Sequence, residues 1–287
     1  MLSAAYSKSG ISALVQAKRS DNMAFRSKRA DSHSTTSFIN HQPAFTLDHT
    51  YALAAMYPYA TGTDDNRIGE WAYQASLAYK FKGRFAPKFK ANYSLVQSID
   101  RQNIEGSAQD RTDGYKSSFF KWGDECYYQD FNIQYEHKLN KQWELHATVM
   151  YQDFNRVIQN HEGHIKSYIA IFEPKWKINK KFTLRGEAQY LHTDHESGDW
   201  GFGLLELSVA PYLMFSVSDQ IGRPEAPDGE SYGDVTHYYN FTATANIKSH
   251  RLQLGYGRTR AGVNCTGGVC RYIPASKGFT INYNYNF

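Results

Sequence analysis

The fold turns on the stretch Gly278-Phe-Thr-Ile-Asn-Tyr-Asn-Tyr-Asn-Phe287. Phe279, Ile281, Tyr283, Tyr285 and Phe287 fall on one side of an extended chain; Thr280, Asn282, Asn284 and Asn286 fall on the other. Successive side chains of a strand point to opposite faces, so period two separates every apolar ring from every amide. A soluble sandwich would bury such a face in its core. Two features favour lipid instead: the strand stops on an aromatic residue, and the same alternation recurs along nearly the whole sequence.

Upstream, Leu252, Leu254 and Tyr256 alternate with Arg251, Gln253 and Gly255, and Leu205 and Leu207 flank Glu206. Phe182, Leu184, Ala188 and Tyr190 alternate with Arg185, Glu187 and Gln189, and Trp143, Leu145 and Ala147 with Glu144 and His146. Phe131, Ile133 and Tyr135 alternate with Asp130, Asn132 and Glu136. Each segment is a weak signal; their agreement is strong. The pattern predicts strands near 11–19, 34–41, 47–58, 70–82, 88–98, 127–139, 142–154, 165–177, 181–192, 202–210, 213–219, 236–247, 250–258 and 278–287. Short connections (42–46, 139–143, 178–182, 210–213, 247–251) alternate with long polar ones (58–70, 99–126, 153–164, 193–201, 220–236, 258–277). Short turns on one rim and long loops on the other are the layout of outer-membrane barrels. The expected fold is therefore all-β: one transmembrane antiparallel up-and-down β-barrel over residues 1–287, with about fourteen strands. Leu2 to Ser7 reads as the tail of another strand, which makes the count odd and leads us to expect a partner strand before Met1, in a larger barrel.

Composition agrees with this reading. Mean hydropathy is -0.62 and 21% of residues are charged, yet 15% are aromatic, with 22 Tyr and 17 Phe. That aromatic content excludes a disordered chain. No run reaches the ~18–20 apolar residues of a membrane-spanning helix; the most apolar, Tyr51–Ala60, is short and holds Pro58. Barrel strands of ~9–11 residues need no such run. The start lacks the basic-then-apolar pattern of a secretory signal, so we expect a mature chain or a missing front. The formal charge of +4 is scattered along the sequence, which argues against a nucleic-acid partner.

Cys265 and Cys270 enclose Thr-Gly-Gly-Val, and the two glycines allow the reversal a short bridge needs. A disulfide formed in an oxidising compartment is the favoured reading; a metal pair is the alternative, without a further ligand nearby in sequence. Cys126 is the odd cysteine.

Several motifs carry a family resemblance. His49-Thr-Tyr with Tyr57-Pro-Tyr-Ala-Thr, Trp200 followed by Gly203-Leu-Leu-Glu, and Gly255-Tyr-Gly-Arg occur in the same order as Gly267-Gly-Val-Cys-Arg, Pro274-Ala-Ser and Gly278-Phe-Thr. Across nearly its whole length the chain resembles a Bacteroidota family of outer-membrane proteins of unknown function. The resemblance implies a location and a fold, and carries over no catalytic or ligand residue. Family members are longer at the N-terminus, and this chain departs from them there.

Among candidate sites, Lys90, Asp130, Glu136, Glu144, His146, Arg185, Glu187, Glu206, Arg251 and Gln253 are predicted to face the lumen. Their mixed signs fit a mutually paired polar interior better than a strongly selective pore. Phe279, Ile281, Tyr283, Tyr285 and Phe287 are predicted to face lipid. Tyr57, Tyr59, Trp71, Trp143 and Trp176 are predicted in the interfacial aromatic girdles. His161-Glu-Gly-His164 has the wrong spacing for a helical zinc site, and His192-Thr-Asp-His195 reads as loop polarity. His137 has no serine placed beside it by the sequence. No cofactor or metal is expected. The functional expectation is a non-enzymatic scaffold in the outer membrane of a Gram-negative bacterium, or a component of an outer-membrane complex. A passive porin is the alternative; a TonB-dependent receptor fragment or a barrel hydrolase is less favoured. The expected partners are outer-membrane lipid, other outer-membrane proteins, and the barrel-assembly machinery acting through the C-terminal strand.

Overall fold

A computed structural model describes residues 1–21, 51–57, 59, 69–103, 115–159, 162–195, 197–224, 233–266 and 269–285. Alternation becomes strand as the sequence predicts. The elements are β1 (Leu2–Lys8), β2 (Ile11–Ser20), β3 (Glu70–Lys80), β4 (Lys88–Asn103) and β5 (Tyr115–His137). They continue with β6 (Trp143–Asn155), β7 (His164–Lys177), β8 (Phe182–Thr193), β9 (Trp200–Val209) and β10 (Leu213–Gly222). β11 (Thr236–Ile247), β12 (His250–Thr259), β13 (Gly262–Thr266), β14 (Val269–Ile273) and β15 (Ser276–Tyr285) complete the chain. One 13-stranded antiparallel sheet runs in sequence order from β1 to β12 and ends on β15. β13 and β14 form a separate hairpin. β1 and β15 are the sheet's two edges, so the sheet is not closed into a barrel here. The odd count also makes these two edges run in the same direction.

Connections alternate as expected. β1–β2, β3–β4, β5–β6, β7–β8, β9–β10 and β11–β12 are joined by short turns on one rim. Two of these turns share a device. Asn140 Oδ1 accepts the backbone N–H groups of Gln142 and Trp143, and Asn179 Oδ1 accepts those of Lys181 and Phe182. An Asx side chain that stands in for a backbone acceptor closes a tight reversal locally.

Three expectations change. Residues 51–57 are turns rather than part of a strand, while 34–41 and the turn at 42–46 lie outside the described residues. The expected loop at 99–126 is largely strand, because β4 and β5 run on past the body of the sheet. Their pairing drifts through register shifts between Val96 and Arg101, and these disguise the period. The 23 residues of β5 span about 76 Å at ~3.3 Å each. Finally, Leu2–Lys8 is a full strand, paired along its length with β2.

Burial on this sheet is inverted relative to a water-soluble protein. Asp130, Asn132, Gln152, Ser94 and Ser167 are completely or almost completely buried, whereas Phe279, Ile281 and Val149 are 87%, 72% and 57% exposed. Register explains the split. The row Gln16–Gln74–Ser94–Asp130–Gln152–Ser167–Thr193 runs across seven strands on one face. The adjacent row Val15–Ala75–Tyr93–Phe131–Tyr151–Tyr168–His192 lies on the other.

Candidate functional site: the filled inner face

The polar face is concave, because one short segment touches strands far apart in the sheet. Leu53 and Ala54 are fully buried and pack with Met150, Ile169, Ile171, Leu191 and Trp200, contributed by β6 to β9. Tyr59 packs against Ala72, Val96, Tyr128 and Phe154 from β3 to β6. Polar side chains of the sheet hold the segment's backbone. Gln189 Oε1 accepts the Leu53 N–H at 2.8 Å, and Gln152 Nε2 donates to the Ala54 carbonyl at 3.1 Å. Gln220 Nε2, on β10, lies 3.7 Å from Met56 Sδ. The Tyr57 and Ser197 hydroxyls are 2.8 Å apart, and the Tyr59 hydroxyl donates to Glu70, which pairs with buried Lys18 at 3.0 Å. A buried amide or carbonyl left unpaired would cost about 1–3 kcal/mol, so these clamps let backbone enter an interior.

Trp200 is the seat of the packing. A Cβ on Gly222 would lie 2.1 Å from Trp200 Cδ2, so only glycine admits the indole there. Trp200 also stacks on Tyr238 at 6.4 Å and meets the Arg260 guanidinium at 5.5 Å.

Toward the short-turn rim the same face carries a charge network. Lys88 and Lys90 pair with Glu136 at 3.1 and 3.2 Å. His146 contacts Glu144 at 3.3 Å and Glu173 at 3.8 Å. Arg185 reaches Glu173 at 2.8 Å and Glu206 at 3.8 Å, and also bonds Glu187. Tyr51 hangs over this cluster. Burial first, then the carboxylates of Glu173 and Glu187, push its phenol up to about 12, so it stays neutral.

All ten residues expected on the interior share this inner face. Eight are drawn into its hydrogen-bond and ion-pair networks: Lys90, Asp130, Glu136, Glu144, His146, Arg185, Glu187 and Glu206. Arg251 and Gln253 lie away from them on β12, opposite Asn284 and Asn282. Phe279, Ile281, Tyr283 and Tyr285 share the opposite face, and Phe287 lies outside the described residues.

The girdle expectation divides. Trp143 and Trp176 stack on the outer face at 5.3 Å and 4°, near the short-turn rim. Trp71 stacks on Tyr73 at 5.9 Å toward the long-loop rim. Tyr57 and Tyr59, expected in a girdle, are instead part of the inner packing, since their segment has turned into the concavity.

Cys265 and Cys270 stand directly opposite each other in the β13–β14 ladder; their side chains lie outside the described residues. No disulfide is seen among the described residues, where Cys126 is a free thiol. No described cluster of His, Cys, Asp and Glu could hold a metal. His164 bonds Asp153 at 2.7 Å and His192 bonds Asp199 at 2.8 Å, while His161 lies outside the described residues. His137 Nδ1 lies 2.7 Å from the Tyr135 hydroxyl on the outer face.

Sequence reasoning missed Leu53, Gln152, Gln189 and Trp200 as interior anchors. The available signal was Tyr51-Ala-Leu-Ala-Ala-Met-Tyr57, which is apolar without period two. Such a run suits a segment surrounded on every side.

Fold and site together define a class: an all-β protein made of one antiparallel up-and-down sheet, apolar outside, with a polar inner face packed around an internal segment. The chain belongs to the family described as "Family of unknown function (DUF6029)", which matches residues 1–287. No curated relative matches it.

Proposed function

We propose that the chain is a non-enzymatic outer-membrane β-barrel protein whose interior is filled, serving as a scaffold or as a component of an outer-membrane complex. The inverted burial carries this reading. An outer face of Phe, Tyr, Leu and Val over an inner face of Gln, Asn, Asp and Ser is unstable in water and is what a lipid solvent selects. Along β6 the outward positions run Trp143, Leu145, Ala147, Val149 and Tyr151 before the first charge, Asp153; along β7 they run from Trp176 to Tyr168 before Lys166. Trp143 to Tyr151 covers about 26 Å of strand at ~3.3 Å per residue, close to the ~25 Å apolar band of such barrels. Lipid is then one partner and the barrel-assembly machinery, acting on β15, another. The oxidising periplasm would close Cys265–Cys270, whose directly opposed backbone positions fall within the Cα separations a disulfide spans.

The alternative, a passive channel, is favoured by the water-exposed ion pairs of Lys88, Lys90 and Glu136, below the inner packing. One experiment addresses both readings. Protein refolded into lipid vesicles is expected to migrate faster on cold than on boiled denaturing gels, and to conduct no ions in planar bilayers. Leu53→Asp, or Gln152→Leu with Gln189→Leu, should then produce conductance. Ohmic steps from the wild-type protein would make it a channel. Identical migration of cold and boiled samples, or failure to enter vesicles, would end the barrel reading.

A further inference from the structure

The short-turn rim has a charge pattern that the scattered sequence hides. Lys82 and Arg84 lie in the β3–β4 turn, Lys138 and Lys141 in β5–β6, Lys180 and Lys181 in β7–β8, and Lys248 in β11–β12. Lys8, Lys80 and Lys177 sit at the adjoining strand ends. All of these are exposed. Not one of the six short turns contains Asp or Glu. The long connections hold the acids instead, such as Glu105, Asp110 and Asp113 between β4 and β5, and Glu225, Asp228, Glu230 and Asp234 between β10 and β11. Water meets both sets of connections equally, so solvation alone does not sort charge by rim.

Position within the fold narrows the partner. The cations follow the rim from β1 to β12 rather than gathering in one patch, which fits an annular partner better than a single docked protein. They also adjoin outward aromatic rings. The Trp143–Trp176 stack is two residues from Lys141 and next to Lys177, and Phe81 meets Phe89 at 6.1 Å beside Lys82 and Arg84. Aromatic rings settle at headgroup depth, and lysine stems lie along apolar surface while their ammonium groups reach phosphate. We infer that the short-turn rim is a binding surface for the phosphate groups of anionic phospholipid. The inference rests on the proposed membrane setting, and it adds a lipid class and a rim.

The protein carries its own reporter, since Trp143 and Trp176 are part-exposed at that rim. The test uses the full chain with Trp71→Phe and Trp122→Phe, reconstituted in phosphatidylcholine vesicles. Fluorescence quenching by acyl-brominated phosphatidylglycerol is compared with quenching by equally brominated phosphatidylcholine. A relative preference of roughly fivefold for phosphatidylglycerol is expected, since one cation near an anionic surface is worth that much. The preference should vanish at high salt and in Lys138→Glu/Lys141→Glu/Lys180→Glu/Lys181→Glu. Equal quenching by both lipids, unchanged by salt or by charge reversal, overturns the inference. So does capture of polyglutamate by the rim without any lipid preference, which would put an acidic protein in the lipid's place. Absence of quenching by either lipid would defeat the membrane reading itself.

Discussion

The two faces of this sheet share one backbone and alternate residue by residue, yet they follow opposite rules. On β6, Met150 and Gln152 are buried inside, while their neighbours Val149 and Tyr151 point outward. Inside, polar groups are held in a bonded row, and the apolar contacts come from one inserted segment. Outside, rings and aliphatic chains pair across strands, and the few hydrogen bonds run between polar tips such as the Tyr135 hydroxyl and His137. The proposed membrane setting accounts for both rules, because it gives each face its own solvent: buried amides on one, exposed hydrocarbon on the other.

The contrast is broken most severely by a charge placed on the wrong face. Val149→Arg is expected to cost about 2–4 kcal/mol in bilayers, whereas His146→Arg, one pleat away and facing Glu144 and Glu173, should cost under about 1 kcal/mol. Urea unfolding of vesicle-refolded protein measures both, and equal costs would mean the faces are not distinct. Next in size is the seat of the inner packing. Gly222→Ala drives a methyl into Trp200, and overpacking of this kind costs about 1–3 kcal/mol; a changed Trp200 emission should accompany the loss, while Gly203→Ala, with open space at its Cβ, should have neither effect. The β13–β14 hairpin comes third. Before reduction, a thiol reagent should label Cys126 alone among the 3 cysteines, and Cys265 with Cys270 only after it. The ring is small, so reduction should cost about 2 kcal/mol or less.

The smallest effect sharpens the outer rim. The Tyr190 hydroxyl, then His192, hold the Asp199 carboxyl below its ordinary range. A depressed pKa gives stability that is present above the ordinary carboxylate range and lost as pH falls through the folded value. Proteolytic nicking of the 194–199 connection should therefore rise as pH drops below about 4, and Asp199→Asn should remove that dependence.

Period two made most of the strands, the turn alternation and the face of every predicted interior residue legible, because each signal is local and repeated. What escaped notice was non-local. The Tyr51–Tyr57 run looked like a strand because it is apolar, although its lack of alternation is what a surrounded segment needs. The length of β5 was hidden by register shifts near Val96. The basic turns look scattered because they recur tens of residues apart, and only the up-and-down path gathers them on one rim.

The inner segment also sets an order of assembly. Its partners arrive late in the chain: Gln189 is 136 residues beyond Leu53, and Gln220 is 164 beyond Met56. Contacts of such sequence separation form slowly, because loop-closure entropy is lost before they reward it. A sheet curled first would close around empty space, and one filled first would lack most of its walls. In the proposed barrel, curling and filling are therefore expected to advance together, with residues 51–57 and Tyr59 as the mandrel on which successive hairpins are wound.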